Sequence, residues 1–386
     1  MNFSLGRDLV LLGGGHSHVI VLKDFGRRPL GGVRLTLVSR VRTTPYSGML
    51  PGLIAGHYSK DEAHIDLEPL ARFAGARVVF DEAIGLDLAT GQVLFRDRPP
   101  IPYDLLSIDI GSTPNLDVPG AAEHVVPVKP IDRLLDRWSA LTTRVGESAG
   151  VRRIAVVGGG AGGVELLLSA QYAMNARLAR EGRGDARLEF HLFTGGAVLP
   201  THNRSVRRRF ERILAERRVT VHRGSAVVKV GRGVIHTADG RAHPIEDTLW
   251  TTQAAAAPWL AESGLAVDDE GFVRVSSTLQ STSHDNVFAA GDIASMIDPR
   301  PKSGVFAVRQ GSPLARNLRR ALLGEPLEPY HPQQMFLSLI STGDRYAVAS
   351  RGPFACEGAW VWRLKDWIDR RFVRAHRVPP EITTRR

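Results

Sequence analysis

Residues 13–19, GGGHSHV, place two histidines directly after three glycines, a combination that could serve two kinds of chemistry. Two histidines could ligate a metal ion, whereas a glycine turn between a strand and a helix presents backbone N–H groups to a phosphate. An apolar run at residues 8–12 precedes the turn and another at 19–25 follows it, as in a strand–turn–helix unit that binds a dinucleotide. No cysteine or further histidine lies nearby at ligand spacing, so the pattern favours the phosphate turn and predicts no metal site.

A second glycine turn occurs at residues 154–165, IAVVGGGAGGVE. It contains the complete GxGxxG pattern at Gly158, Gly160 and Gly163, after an apolar strand and at the start of a helix. The first turn instead has His18 where the third glycine is expected, a position at which helix and strand normally pack closely. One such turn is weak evidence of nucleotide binding, but two in one chain predict two dinucleotide-binding domains.

Short apolar runs, such as residues 33–38, alternate with helical stretches along the chain. This alternation predicts an α/β fold with parallel sheets and right-handed crossovers. A last strand at residues 286–294 contains the pair Gly291 and Asp292. It leads to a helix that is expected to begin near Gly304.

The composition limits the partners and the location of the protein. The 386 residues carry a net charge of +10, which suits an anionic partner, although abundant arginine from a GC-rich coding sequence would give the same balance. The basic segment 202–218 has an apolar helical face and the chain has no nucleic-acid-binding signature, so no nucleic-acid partner is expected. No stretch reaches the length of a membrane span and no cleavable leader is evident, which predicts a cytoplasmic protein, or one peripheral on the inner face of the cell membrane.

The order of these motifs resembles the pyridine nucleotide-disulfide oxidoreductase superfamily. Within it the chain is most similar to the type II NADH:quinone oxidoreductase branch, and closer still to the flavoprotein domain that is fused to selenide, water dikinase. The segments that carry the resemblance are LLGGGHSHVIVL at the start, TPYSGMLPGLIAGHY at 44–58, VFAAGDIASMIDPRPKSGVFAVRQG at 287–311, LSLISTGDRYAVASRG at 337–352 and WVWRLKDWIDRRF at 360–372.

The resemblance implies an α/β fold with two Rossmann-like dinucleotide-binding domains, in the three-layer arrangement of glutathione reductase, and a small C-terminal segment. The FAD-binding domain is expected at residues 1–119 and 270–325, and the NAD(P)H-binding domain at residues 120–269. The C-terminal domain, with an amphipathic helix, is expected at residues 326–386.

The resemblance also implies that the first glycine turn holds FAD and that the second receives NADH or NADPH. The Asp292 carboxylate would bind the ribityl chain or the diphosphate, and the helix from Gly304 would point its positive end at the flavin ring. The expected cofactor-binding residues are Gly13, Gly14, Gly15, His16, Ser17, His18, Ser39, Arg40, Tyr46, Gly111, Gly158, Gly160, Gly163, Gly291, Asp292, Gly304 and Val305. The candidate catalytic residues are Glu165 and Lys302.

Two positions depart from the pattern of the family. The acidic residue expected after the second strand of each nucleotide domain, where it binds the adenosine ribose, is absent. Ser39, followed by Arg40, stands there in the first domain, and Thr194 stands in the corresponding part of the second. These departures leave NADPH open as a donor and also permit a protein that uses no nicotinamide.

The single cysteine, Cys356, excludes electron transfer through a pair of protein thiols. The expected chemistry is therefore direct hydride transfer from nicotinamide to flavin, followed by reduction of a quinone-like acceptor. Glu165 could orient the nicotinamide or handle a quinone proton, or it could only stabilise the start of its helix. Lys302 could assist the flavin ring or be an exposed loop lysine.

Three functions stay open from the sequence. The first is an FAD-dependent NAD(P)H dehydrogenase with a quinone-like acceptor, the second a flavoprotein reductase for selenium metabolism, and the third a flavin redox sensor with little turnover. The helix at residues 360–372 carries apolar residues at helical spacing with basic residues between them. It could lie at a membrane surface, dock on the flavin domain, or form the contact of a homodimer.

Overall fold

The computed structural model describes residues 6–147, 150–183, 187–252 and 254–378. The strands of these residues are β1 (Arg7–Leu12), β2 (Val33–Ser39), β3 (Thr43–Pro45), β4 (His64–Asp66), β5 (Arg77–Phe80), β6 (Ala83–Asp87), β7 (Gln92–Phe95), β8 (Ile101–Pro102), β9 (Leu105–Ile108), β10 (Thr113–Pro114), β11 (Val126–Pro127), β12 (Val151–Val157), β13 (Arg187–Thr194), β14 (Thr220–Arg223), β15 (Val227–Gly231), β16 (Val234–Thr237), β17 (Ala242–Pro244), β18 (Asp247–Trp250), β19 (Ala254–Ala255), β20 (Val273–Val275), β21 (Val287–Ala289), β22 (Ala294–Met296), β23 (Ser338–Ser341), β24 (Ala347–Arg351) and β25 (Phe354–Gly358). The helices are α1 (His16–Arg27), α2 (Leu50–Ile54), α3 (Lys60–Ala63), α4 (Leu67–Phe73), α5 (Ala121–His124), α6 (Ile131–Glu147), α7 (Ala161–Arg180), α8 (Arg204–Glu216), α9 (Trp259–Glu262), α10 (Gly304–Leu323) and α11 (Ala359–His376), with short 3₁₀ turns at Ser47–Met49 and Gly291–Ile293.

The first glycine turn lies at the edge of a parallel sheet with the strand order β21-β9-β1-β2-β5. β1 is the central strand, and its residues from Leu9 to Leu12 are almost completely buried because helices or loops cover both faces of the sheet. The outer strand β21 enters this sheet only after the chain has passed through the second sheet. The first dinucleotide unit is thus built from two separate parts of the chain.

The second glycine turn follows β12, the central strand of another parallel sheet with the order β11-β18-β12-β13-β14. Residues Ile154, Ala155 and Val156 of β12 are fully buried. The helices α7 and α8 pack with this sheet. Two such sheets confirm the predicted α/β class with Rossmann-like units.

The segment that contains α9 packs with the first sheet. Leu260 and Leu265 belong to the same core as the strands of that sheet. α9 contacts β6, and the Ser263 hydroxyl accepts a hydrogen bond from the backbone N–H of Leu86 at 2.9 Å. The domain limits stay predictions.

The C-terminal part forms an antiparallel sheet, β23-β24-β25, followed by α11. This helix packs on α1, on α3 and on the 3₁₀ turn at Ser47–Met49, so it docks on the first dinucleotide unit. Its opposite face remains exposed and carries Trp360 and Trp367. None of the helices in the described part of the chain combines the length and the apolar composition needed to cross a bilayer.

Candidate functional site

The first glycine turn has no room for side chains. A Cβ on Gly13 would lie 2.3 Å from the carbonyl oxygen of Asp109, and φ at Gly13 is 103°, a value that favours glycine. A Cβ on Gly15 would lie 2.3 Å from the Asp109 carboxyl, and one on Gly14 would lie 2.5 Å from Leu67 Cδ1. The glycines therefore allow the start of α1 to approach the end of β9 closely.

His18 occupies the position of the missing third glycine and is fully buried. Its Nδ1–H donates to the carbonyl oxygen of Gly13 at 2.7 Å, and its Nε2 accepts from the Ser107 hydroxyl at 2.8 Å. Burial lowers the pKa of His18 to about 4, so the ring is neutral at physiological pH. A glycine at this position usually allows helix and strand to touch closely. Here the imidazole of His18 connects them by two hydrogen bonds instead.

Among the described residues, no group of three His, Cys, Asp or Glu side chains could hold a metal ion. His16 accepts a hydrogen bond at Nε2 from the backbone N–H of Ser47 at 3.3 Å. Burial lowers its pKa to about 4 as well. Its ring lies 5.2 Å from that of Tyr46, and Tyr46 stacks on Phe372 of α11 at 4.5 Å between ring centroids.

Asp109, at the end of β9, is a site residue that the sequence analysis missed. Its side chain is buried, and Oδ2 accepts from the backbone N–H groups of Ser17 at 2.9 Å and His18 at 3.1 Å. These groups lie in the first turn of α1, which has no side-chain cap from its own N-cap residue Gly15. Burial raises the pKa of the Asp109 carboxyl to about 7.

Two hydrogen bonds bring α1, α10 and the Gly291 turn to the same edge. The Ser17 hydroxyl donates to the carbonyl oxygen of Ala307 at 2.7 Å, and the backbone N–H of Gly291 donates to Gln310 Oε1 at 2.6 Å. A Cβ on Gly304 would lie 2.4 Å from Ser47 Oγ, so α10 begins directly against the loop that carries Tyr46. Val305 follows in the first turn of α10 and is half-buried, and Gly111 adopts φ 73° in open space after β9.

Asp292 forms an ion pair with Lys129. Lys129, like Asp109, was not singled out in the sequence analysis. The Ser112 hydroxyl donates to the same carboxylate oxygen at 3.3 Å. Burial opposes ionisation of Asp292, but the Lys129 ammonium holds its pKa below the usual value. The carboxylate is therefore ionised and fixed beside the start of α10.

Glu165, on α7, faces α11. Its Oε1 accepts from the backbone N–H of Ser341 at 2.7 Å, and burial raises the pKa of its carboxyl to about 7. The same environment contains Lys365 and Asp369 of α11, which form a buried ion pair at 2.8 Å. The Lys365 ammonium also donates to the carbonyl oxygen of Gly48 at 2.5 Å. Glu165, Lys365 and Asp369, which we call the α11 cluster, thus join the second unit, the first unit and the C-terminal helix.

Lys302 lies apart from the α11 cluster. Its ammonium donates to the carbonyl oxygen of Ala294 at 2.6 Å and lies 3.8 Å from the centroid of the Phe272 ring. Burial lowers the pKa of Lys302. The candidate catalytic role of Lys302 stays a prediction.

The second glycine turn is as tight as the first. A Cβ on Gly158 would lie 2.2 Å from Thr251 Oγ1, and one on Gly163 would lie 2.0 Å from the carbonyl oxygen of Gly158. Gly160 has no other atom within 4 Å of its Cβ position, so its side of the turn is open to a ligand. Thr194 ends β13 beside Gly159, which confirms that a threonine rather than a carboxylate stands at this strand end.

The corresponding end of the first sheet carries Ser39 and Arg40. Ser39 is buried and its hydroxyl donates to the carbonyl oxygen of Val41 at 2.8 Å, so it serves its own turn. Arg40 is half-buried. The glycine cradles fit a dinucleotide at each turn, and the ionised Asp292 lies beside the first of them.

The chain matches a family model described as pyridine nucleotide-disulphide oxidoreductase over residues 7–311. It is 25% identical over 340 residues to the NADH dehydrogenase-like protein YutJ of Bacillus subtilis, across 85% of this chain and 87% of YutJ. It is 26% identical over 287 residues to demethylphylloquinone reductase NdbB of Synechocystis sp., across 70% of this chain and 69% of NdbB. The solved structure of NDH2 from Plasmodium falciparum in complex with NADH has the same fold, with a TM-score of 0.81 at 14% identity over 96% of this chain and 97% of that chain.

The replacement Gly15→Ala tests the first turn. Its methyl carbon would lie 2.3 Å from the Asp109 carboxyl, so the turn must move, and we expect the purified variant to keep less than about a tenth of the flavin absorbance. The control is Gly31→Ala, because the Cβ position of Gly31 has no atom within 4 Å and its φ is not in the left-handed region. A folded Gly15→Ala protein, by circular dichroism, with the full flavin content of the control would contradict this site.

Proposed function

Because the chain belongs to the pyridine nucleotide-disulphide oxidoreductase family, we propose that it is an FAD-dependent NAD(P)H dehydrogenase that reduces a quinone-like acceptor. The observation that carries the proposal is the pair of tight glycine turns at the edges of two parallel sheets, in a chain with one cysteine. Electrons cannot pass through a protein disulfide here. The donor and the acceptor must therefore both exchange electrons with the flavin.

The relatives support the same reaction class. YutJ is described as NADH dehydrogenase-like, NdbB as a demethylphylloquinone reductase, and the NDH2 structure contains NADH. These descriptions favour a nicotinamide donor and a quinone-like acceptor for this chain. The relation to flavoproteins fused to selenide, water dikinase stays a prediction, as does a sensor role.

The residues that would hold FAD lie in the first glycine turn and in the Gly291 turn. Bound FAD supplies a hydride acceptor for the nicotinamide and an electron donor for the acceptor. The N–H groups of the first turn that Asp109 does not bind suit a diphosphate, and the ionised Asp292 suits the hydroxyl groups of a ribityl chain. Lys129 keeps that carboxylate charged and fixed in position.

The second turn would hold the nicotinamide nucleotide, and we propose NADH or NADPH without a choice between them. Gly158 and Gly163 allow α7 to approach β12 closely because they have no side chains, and the surface of the turn at Gly160 is open. Thr194 offers one hydroxyl where an NAD-specific site usually has a carboxylate for both ribose hydroxyls. The adenosine end therefore carries no group that repels a 2′-phosphate at this position.

Glu165 is the proposed proton-handling residue. A carboxyl with a pKa of about 7 holds its proton below neutrality and releases it above. It faces Lys365 and Asp369, whose opposite charges are paired in a buried position. Such a carboxyl can deliver a proton to a quinone-like acceptor without a thiol or a metal ion.

The two half-reactions test the function and the role of Glu165. We expect NADH or NADPH to bleach the flavin bands anaerobically in the wild type and in Glu165→Gln at rates within a few-fold of each other. We expect a soluble quinone to reoxidise Glu165→Gln about 10²-fold more slowly, because the amide cannot donate a carboxyl proton. The wild-type reoxidation rate should fall as the pH rises through about 7, and this fall should be absent in the variant.

The control is Glu181→Gln, at the exposed end of the same helix, where Glu181 pairs only with Arg177 in the ion pairs of the described residues. A flavin that neither nicotinamide bleaches would overturn the dehydrogenase assignment. Slowing of the bleaching step in Glu165→Gln would assign Glu165 to nicotinamide orientation. Unchanged rates in both steps would limit Glu165 to stabilising the start of α7.

The outer face of α11 supports a membrane contact, which we propose as the route to a lipid-soluble acceptor. Trp360 is 56% exposed and Trp367 is 57% exposed, with Leu364 between them on the same face. The same helix also carries three exposed arginines, Arg363, Arg371 and Arg374. Aromatic and aliphatic side chains flanked by cations are typical of a helix that lies in the interface of an anionic membrane.

Vesicle binding tests this surface. We expect the wild type to co-sediment with vesicles that contain anionic lipid, and the double variant Trp360→Ser/Trp367→Ser to lose at least tenfold in vesicle affinity. The control is Ile84→Ser/Val228→Ser, which removes two apolar side chains of similar exposure on other elements. Equal vesicle binding by both double variants, or no binding by the wild type, would overturn the proposal.

A further inference from the structure

The Asp109 carboxyl has a place in the FAD site that the proposed reaction does not use. It is 2% exposed and lies beneath the first turn of α1. A Cβ on Gly15 would lie 2.3 Å from its Oδ1, and a Cβ on Gly291 would lie 2.4 Å from the same atom. The carboxyl therefore lies between the two glycine segments that we assign to FAD.

The two oxygens of Asp109 have different surroundings. Oδ2 accepts hydrogen bonds from the backbone N–H groups of Ser17 and His18. Both the ionised and the protonated carboxyl of Asp109 can provide this acceptor. Oδ1 lies against the turn at Gly291. A proton on Oδ1 leaves the hydrogen bonds at the start of α1 intact.

The charged groups around Asp109 do not offset its negative charge directly. Asp292, in the turn after β21, carries a negative charge that disfavours ionisation of Asp109. His16 and His18 of α1 have neutral rings, and the nearby side chain of α10, Gln310, is uncharged. The ammonium of Lys129 is bonded to Asp292.

We propose that Asp109 takes up one proton from solvent when FAD binds, so that the affinity of the protein for FAD depends on pH through this residue. The inference rests on the assignment of FAD to the first turn. The diphosphate of FAD is anionic and suits the N–H groups of the first turn other than those of Ser17 and His18, which Asp109 already binds from beneath. A second negative charge beside the first turn of α1 raises the free energy of the ionised Asp109 carboxylate. Protonation of Oδ1 removes this charge repulsion.

The direction of the pH dependence follows from the linkage between binding and protonation. Burial already raises the pKa of Asp109 to about 7 in the protein without FAD. A diphosphate nearby would raise this pKa further, because a second negative charge disfavours the carboxylate. Below pH 7 the carboxyl is already neutral and FAD binding takes up no proton. Above pH 7 binding takes up one proton, so the dissociation constant of FAD rises by up to tenfold for each pH unit.

The test is the dissociation constant of FAD, measured by flavin fluorescence on protein stripped of flavin, between pH 6 and pH 8.5. We expect at least a tenfold increase in the wild type across this range. We expect less than a threefold increase in Asp109→Asn, because the amide keeps an acceptor for Ser17 and His18 and has no charge to lose. Parallel increases in both proteins would overturn the proposal.

Two further measurements separate this proposal from a structural role and from the assignment of FAD. Asp109→Ala removes the acceptor for both N–H groups and should lower thermal stability, whereas Asp109→Asn should not. If Asp109→Asn does not fold, calorimetry of FAD binding to the wild type in buffers of different ionisation enthalpy gives the proton uptake. Uptake of about one proton at pH 8 supports the proposal, and no uptake overturns it. A wild type that binds no FAD at any pH refutes the function proposed above, whereas pH-independent binding refutes only the role of Asp109.

Discussion

The contact between the start of α1 and the end of β9 is the constraint on which the first dinucleotide unit depends. Gly13 and Gly15 have no room for side chains because the backbone and carboxyl of Asp109 lie directly beneath them. The carboxyl satisfies two N–H groups at the start of a helix that lacks a side-chain cap of its own. The same close approach places the remaining N–H groups of the turn at a shared edge with Gly291.

The C-terminal helix α11 connects this edge to the second unit. Phe372 stacks on Tyr46, and Lys365 binds the carbonyl oxygen of Gly48, so the helix closes the first unit from one side. The buried pair of Lys365 and Asp369 lies in the surroundings of Glu165, on the helix that follows the second glycine turn. Under the proposed function, this helix, with one face near Glu165 and the other exposed, would link a lipid-soluble acceptor to that carboxyl.

The sequence could predict features whose determinants are local. Each glycine turn lies directly between its strand and its helix, so the two motifs predicted two dinucleotide-binding units, and the alternation of apolar and helical stretches predicted the α/β class. The long-range partners could not be predicted in this way. Asp109 is 92 residues from Ser17, Lys129 is 163 residues from Asp292, and Lys365 is 317 residues from Gly48. Weak signals did exist, such as the acidic residue in the apolar run SIDIGS and the Lys–Asp pair four residues apart in α11.

The proposed reaction requires that a hydride passes directly from a nicotinamide at the second turn to a flavin at the first. Anaerobic stopped-flow bleaching of the flavin bands with NADH or NADPH that carries deuterium at the transferred C4 position tests this step. We expect the deuterated donor to bleach the flavin clearly more slowly than the protiated one, and equally so in Cys356→Ser. Bleaching that needs the thiol of Cys356, or a failure of both nicotinamides to bleach the flavin, would rule out direct hydride transfer.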